Sequence, residues 1–146
     1  MKQIITAIFI LLFFNACNQE NGPKESNKNS LKGVWEMVRV YYYENGKLTD
    51  TIEVPEYGKH MKIFHTTKYM WSNQPKSKDS LEWFAYGNYS KKGDTLFEHK
   101  EYASKAMKGH SNTSKWLLTI EKNRYTQIGL DNKGDLYYGE VYKRIE

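Results

Sequence analysis

From Gly33 to Glu44 the chain alternates with a period of two. Trp35, Met37, Arg39, Tyr41 and Tyr43 fall on one face, and Val34, Val38 and Val40 on the other. Successive side chains of a strand point to opposite faces, so this period predicts a β-strand and excludes a helix. Glu44-Asn45-Gly46-Lys47 follows directly. Asn-Gly accepts the positive φ angles of a tight two-residue turn, so the strand is expected to fold straight back as a hairpin.

The same pattern recurs to the end of the chain. Leu48 to Val54 reads as a weak strand, and Lys59 to Thr66 pairs with Lys68 to Ser72. Leu81 to Ser90 and Thr95 to Tyr102 flank the turn Lys91-Lys92-Gly93-Asp94. Trp116 to Glu121 and Tyr125 to Leu130 flank Lys122-Asn123-Arg124, and Asp131-Asn132-Lys133-Gly134 leads into Leu136 to Arg144. All 12 tyrosines and all 4 tryptophans lie after residue 30, and aromatic residues suit half-buried pleated surfaces. Eight or nine short strands joined by tight turns make an antiparallel meander, which closes into a barrel and so removes its exposed edges. The expectation is one all-β domain over 31–146, an up-and-down barrel. Two longer connections interrupt it, Asn73 to Ser80 and Ala103 to Lys115; the second has room for a short helix or a flap.

The N-terminus has a separate logic. Lys2 precedes the apolar run Ile4 to Phe14, with small Ala16 and then Cys17. A charged start, apolar run and small-residue exit mark a secretory signal. The run is too short for a helix crossing a hydrocarbon core of about 30 Å. Cys17 is the only cysteine, which excludes an intramolecular disulfide. Asn18 to Ser30, NQENGPKESNKNS, carries no large apolar residue and is expected to be a flexible tether. The net charge of +5 is spread over scattered lysines without a nucleic-acid signature, so no nucleic-acid partner is expected.

Two resemblances follow. Phe14-Asn15-Ala16-Cys17 resembles the lipobox of bacterial lipoproteins, in a relaxed form familiar in Bacteroidetes-type bacteria. It implies cleavage after residue 16, acylation (palmitate among the acyl chains) of Cys17, and anchorage to the outer membrane, on its periplasmic face rather than the cell surface. Gly33-Val34-Trp35 on the first strand and Tyr142-Lys143-Arg144 on the last resemble the lipocalin and wider calycin superfamily, where a Gly-x-Trp packs at the closed barrel end against a late basic residue. Gly87-Asn88-Tyr89-Ser90, Gly93-Asp94-Thr95-Leu96-Phe97-Glu98 and Glu101-Tyr102 are similar to lipocalin-like lipoproteins of Bacteroidetes. Gly33, Trp35, Glu140 and Arg144 are then the closure residues. With Trp35 set opposite Arg144, a regular register puts Arg39 opposite Glu140 and Tyr41 opposite Tyr138, both favourable cross-strand pairs.

The candidate ligand residues are Arg39, Trp71, Trp83, Tyr86, Tyr89, Glu98, Tyr102 and Tyr125, with Trp116 in the same aromatic set. An inward Arg39 would suit a carboxylate, because its planar fork binds two oxygens. Glu98 and Tyr102 share a strand face, and Glu98 is open either to a ligand's polar group or to an internal pair with Arg39 or Lys100. His60, His65, His99 and His110 form no metal motif, no Gly-x-Ser-x-Gly elbow or phosphate loop is present, and neither cofactor, metal nor catalytic role is expected. The function expected is a monomeric, lipid-anchored barrel holding a small apolar or amphipathic ligand. The alternative is a non-enzymatic envelope protein whose aromatic side chains fill the barrel, since eight strands are just wide enough to be filled.

Overall fold

A computed structural model describes residues 30–54, 58–77 and 83–146. The expected signal segment 1–16, Cys17 and the tether up to residue 29 lie outside the described residues.

Among the described residues nine strands follow in chain order: β1 (Gly33–Glu44), β2 (Lys47–Glu53), β3 (Gly58–Phe64), β4 (Lys68–Pro75), β5 (Trp83–Lys92), β6 (Thr95–Ala103), β7 (Thr113–Glu121), β8 (Arg124–Leu130) and β9 (Leu136–Arg144). A 3-10 turn, Lys105–Met107, lies in the connection between β6 and β7. Every pairing is antiparallel. From β3 to β9 each strand pairs with the next, and β9 returns to β1, which pairs with β3. Eight strands therefore close a barrel of up-and-down topology, lipocalin-like in general shape, and β2 is an extra ninth.

β1 has three partners because it is long. Its first residues, Gly33 to Glu36, pair with β3; its later ones, Arg39 to Glu44, pair with β2 on the same edge; its other edge runs along β9. The β1–β2 hairpin turns at Asn45 (φ 52°) and Gly46 (φ 72°), and Asn45 is the one non-glycine residue with positive φ among the described residues. That is the conformation that the Asn-Gly pair predicts.

The closed end of the barrel is packed solid. Trp35, Leu96, Tyr125 and Tyr142 are wholly buried, with Phe64, Tyr69 and Leu118 nearly so. Trp35 meets Tyr125 edge-on at 4.7 Å between centroids, Tyr125 stacks on Tyr142 at 4.6 Å, and Phe64 meets Tyr89 at 4.9 Å. Each such side chain contributes on the order of 1.5–3 kcal/mol by burial. Outside, the Arg144 guanidinium lies 4.0 Å from the Trp35 ring centroid and donates to the carbonyls of Lys32 and Ser30, each at 2.6 Å. The Trp35 indole N–H donates to the Leu31 carbonyl at 2.7 Å. Gly33 has φ +136°, and a Cβ there would overlap the Glu146 carbonyl and the Arg144 side chain. The glycine before this tryptophan is thus required by the way the chain end folds over it.

The β1–β9 register departs from the regular one. Trp35 lies opposite Arg144 and Met37 opposite Tyr142, but Arg39 lies opposite Val141, Val40 opposite Glu140, and Tyr42 opposite Tyr138. One residue, Val38, is extra on β1. Such a bulge puts two residues against one and reverses the facing of everything beyond it. Val40 and Tyr42 take the inner phase, and Arg39, Tyr41 and Tyr43 turn outward.

Candidate functional site

Above the packed end the barrel is hollow. A cavity of about 460 Å³ is lined mostly by residues in i, i+2 phase: His60 and Lys62 from β3, Tyr69, Trp71 and Asn73 from β4, Trp83 and Ala85 from β5, Glu98 and Lys100 from β6, Ser114 and Trp116 from β7, Gln127 from β8, and Tyr138, Glu140 and Tyr142 from β9, with Tyr137 out of phase at the rim. Met107, His110 and Ser111, from the connection carrying the 3-10 turn, border it. A smaller cavity of about 260 Å³ lies where β1 leaves β3 for β2; Met37, Val40, Ile52 and Val54 line it, and it shares His60, Asn73 and Tyr138 with the larger one.

The lumen floor is a continuous polar chain. The Lys62 Nζ sits 2.6 Å from Glu98 Oε1, with both side chains almost fully buried, at 2% and 4% exposure. This is an ion pair by distance; its angle is not that of a hydrogen bond, and Glu98 Oε1 makes no other. Lys62 Nζ also donates to Gln127 Oε1 at 3.2 Å, and Gln127 Nε2 donates to Glu140 Oε2 at 2.5 Å. The Tyr142 hydroxyl donates to the same Glu140 oxygen at 3.0 Å and lies 3.3 Å from His60 Nε2. With its proton given to Glu140, that hydroxyl accepts from His60, which fixes the imidazole as the Nε2–H tautomer. Rings surround the ammonium: Phe64, Tyr69, Trp116 and Tyr142 have centroids 5.3–5.8 Å from Nζ. A desolvated cation gains from the negative faces of such rings.

Burial governs the titration of these groups. Burial, assisted by the charge of Lys62, lowers the His60 pKa to about 3, so its imidazole is neutral at physiological pH. It stacks on Trp71 at 5.3 Å. Burial also raises the Glu140 carboxyl above its ordinary value, while Lys62 pulls it down and Glu98 pushes it up. The phenols of Tyr138 and Tyr142 are pushed up by burial and by Glu140. The site thus holds one paired carboxylate and one, Glu140, held by neutral donors alone.

The structure brings together only some of the residues read from the sequence. Trp71, Trp83 and Glu98 face the lumen, with Trp116 beside them. Glu98 is paired, but with Lys62 rather than Arg39 or Lys100. Arg39 does not point inward; the Val38 bulge turns it out, where it pairs with Glu53 at 2.6 Å with 38% of its side chain exposed. Glu140 accordingly faces the lumen and has no contact with Arg39. Tyr102 does not share the face of Glu98 either. Tyr86 pairs with Tyr102 and Gly87 with Lys100, so Glu101 is an extra residue, and Tyr102 emerges 67% exposed. Tyr86, opposite it, is also on the outside. Tyr89 and Tyr125 point inward, into the packed end; the Tyr89 hydroxyl donates to the His65 carbonyl at 2.7 Å.

Lys62, Gln127 and the inner role of His60 escape a reading by residue type, because lysine and glutamine are ordinarily surface residues. The phase carries a signal: His60, Lys62 and Phe64 alternate with outward residues, as do Tyr125, Gln127 and Gly129. Among the described residues, no three His, Cys, Asp or Glu side chains come together as a metal-holding group.

No protein-family model matches the sequence, and no curated protein matches it. Among solved structures, a redesigned beta barrel is similar to it, with 17% identity and a TM-score of 0.47, over 80% of this chain and 92% of the other.

Proposed function

We propose that this chain is an envelope lipoprotein of the lipocalin-like, Bacteroidetes type, anchored through acylated Cys17 at the outer membrane, and that its barrel binds a small amphipathic molecule. The observation that carries the binding reading is the lumen: about 460 Å³ of space, walled by tryptophans and floored by buried polar groups. Ligand pockets are typically concavities of about 300–1,000 Å³ with aromatic walls and a few converging polar groups. A filled-core protein has no use for a hollow of that size, whereas the solid lower half gives the hollow upper half rigid walls. The floor also makes the ligand amphipathic rather than purely apolar, because a bound hydrocarbon would leave the buried Trp116 Nε1–H without an acceptor. The chain acts here as a binder without chemistry of its own, at the end of a tether that separates anchorage from binding.

Native mass spectrometry of the protein purified from its own membranes tests this. A reproducible adduct of small-molecule mass, lost on denaturation, is the expected result. Protein that carries no adduct from any membrane preparation and takes up none from a lipid and metabolite extract would refute it.

A further inference from the structure

Lys62 and Glu98 satisfy one another at 2.6 Å. Lys100 at the lumen wall donates its ammonium to the His110 carbonyl at 3.2 Å. His60 is neutral. Glu140, 8% exposed, has no ion-pair partner among the described residues; its donors are the Gln127 amide and the Tyr142 hydroxyl, and both converge on Oε2. The lumen lining therefore carries two ammonium groups and two carboxylates, and Glu140 is the carboxylate that no ammonium contacts; Lys100, at the wall, bonds a neutral carbonyl instead. The same cavity is lined by aromatic side chains, Tyr138 and Tyr142 from the strand of Glu140 and Trp71 and Trp116 from β4 and β7. Trp116 Nε1 is buried without a protein partner, a donor left for an acceptor on a bound molecule.

We infer that the ligand carries a protonated amine, seated on Glu140 and faced by the tryptophan and tyrosine rings of the lumen. This rests on the reading of the lumen as a binding site and names its ligand class. Charge on the ligand side completes what the protein leaves open: a buried carboxylate is stabilised by a cation brought to it, and the ring faces favour the same charge. At the floor an anionic ligand would meet Glu140 and Glu98 with the ammonium of Lys62 already engaged, leaving it Lys100 at the wall. Lys62 fills in the protein's own chemistry a place like the one inferred for the ligand, a cation among rings with a carboxylate at its side.

The test uses the full chain in detergent, with detergent-only blanks, and follows tryptophan fluorescence while 2-phenylethylamine, 2-phenylethanol or phenylacetate is added. The three probes share one ring and differ in charge. The amine is expected to bind at least about tenfold more tightly than either of the others, the scale of one charge-assisted hydrogen bond. Glu140→Gln is expected to abolish that preference while binding of the alcohol persists. Equal or tighter binding of phenylacetate or of the alcohol overturns the amine assignment and leaves the lumen a binding site. A preference that survives in Glu140→Gln overturns the role of Glu140. Failure of all three probes to bind overturns both the assignment and the binding reading. The wild-type series decides the charge class even if Glu140→Gln does not fold.

Discussion

Replacing Lys62 by Met removes a charge from the barrel floor while keeping much of the side chain's volume. The structure sets the size of the effect. The Lys62 side chain is 2% exposed and its Nζ contacts Glu98 and Gln127, so the substitution leaves a carboxylate, 4% exposed, with no cation beside it, and an amide oxygen with no donor. Removing one partner of a buried ion pair costs about 3–5 kcal/mol, because the remaining charge keeps its desolvation penalty. The favourable contacts of the ammonium with four rings are lost as well. Small domains are stable by about 5–15 kcal/mol, so Lys62→Met should lose a large share of the total. Lys62→Met with Glu98→Leu removes both charges, and should lie within about 1–2 kcal/mol of wild type or above it, as buried pairs replaced by apolar residues do. Urea unfolding followed by circular dichroism measures both. A single substitution costing less than about 1 kcal/mol, or a double as damaging as the single, would refute the view that Lys62 is held there by Glu98.

Three further outcomes follow from named groups. Between pH 6.5 and 3 the unfolded chain protonates His60 and the folded chain does not, so stability falls as pH falls, by up to about 1.4 kcal/mol per unit; Glu140, whose pKa is raised, acts in the opposite sense, so the prediction is a shallower loss in His60→Gln than in wild type, read from urea midpoints across that range. Arg144→Ala removes the guanidinium from the Trp35 face and frees two carbonyls, and should cost about 2–3 kcal/mol in the same assay, with Arg144→Lys recovering only part because lysine lacks the planar fork. Radiolabelled palmitate fed to cells should appear in the wild-type protein and not in Cys17→Ala, which should accumulate as uncut precursor; label retained without Cys17 would end the lipoprotein reading.

The strands were legible because alternation is local. Most of the nine segments show a period of two and end at a turn signal, and Asn45-Gly46 even specifies its turn geometry; Leu48 to Val54 reads only weakly, and two connections are long. The facing of individual side chains was legible only up to the first irregularity. A bulge at Val38 reverses Arg39 and Tyr41, and one at Glu101 reverses Tyr102. Nothing in the residue types at those places announces an extra residue, because each bulge is set by how two distant strands pair. The polar floor was hidden for a related reason. Lys62, Gln127 and Glu140 come from β3, β8 and β9, and their meeting is a property of closure, whereas residue type alone assigns a lysine to water. Glu98 was legible as inward-facing, but its partner across the lumen was not.

A binding barrel must hold a molecule in its hollow half. Ser114 lines that hollow beside the polar floor, and Ser114→Trp would fill it without touching the packed end. Wild type and Ser114→Trp, purified side by side from the native host, are to be compared by native mass spectrometry. A small-molecule adduct on the wild type that is missing from an equally folded Ser114→Trp is the result predicted. The same adduct on both, or no adduct on either, would contradict it.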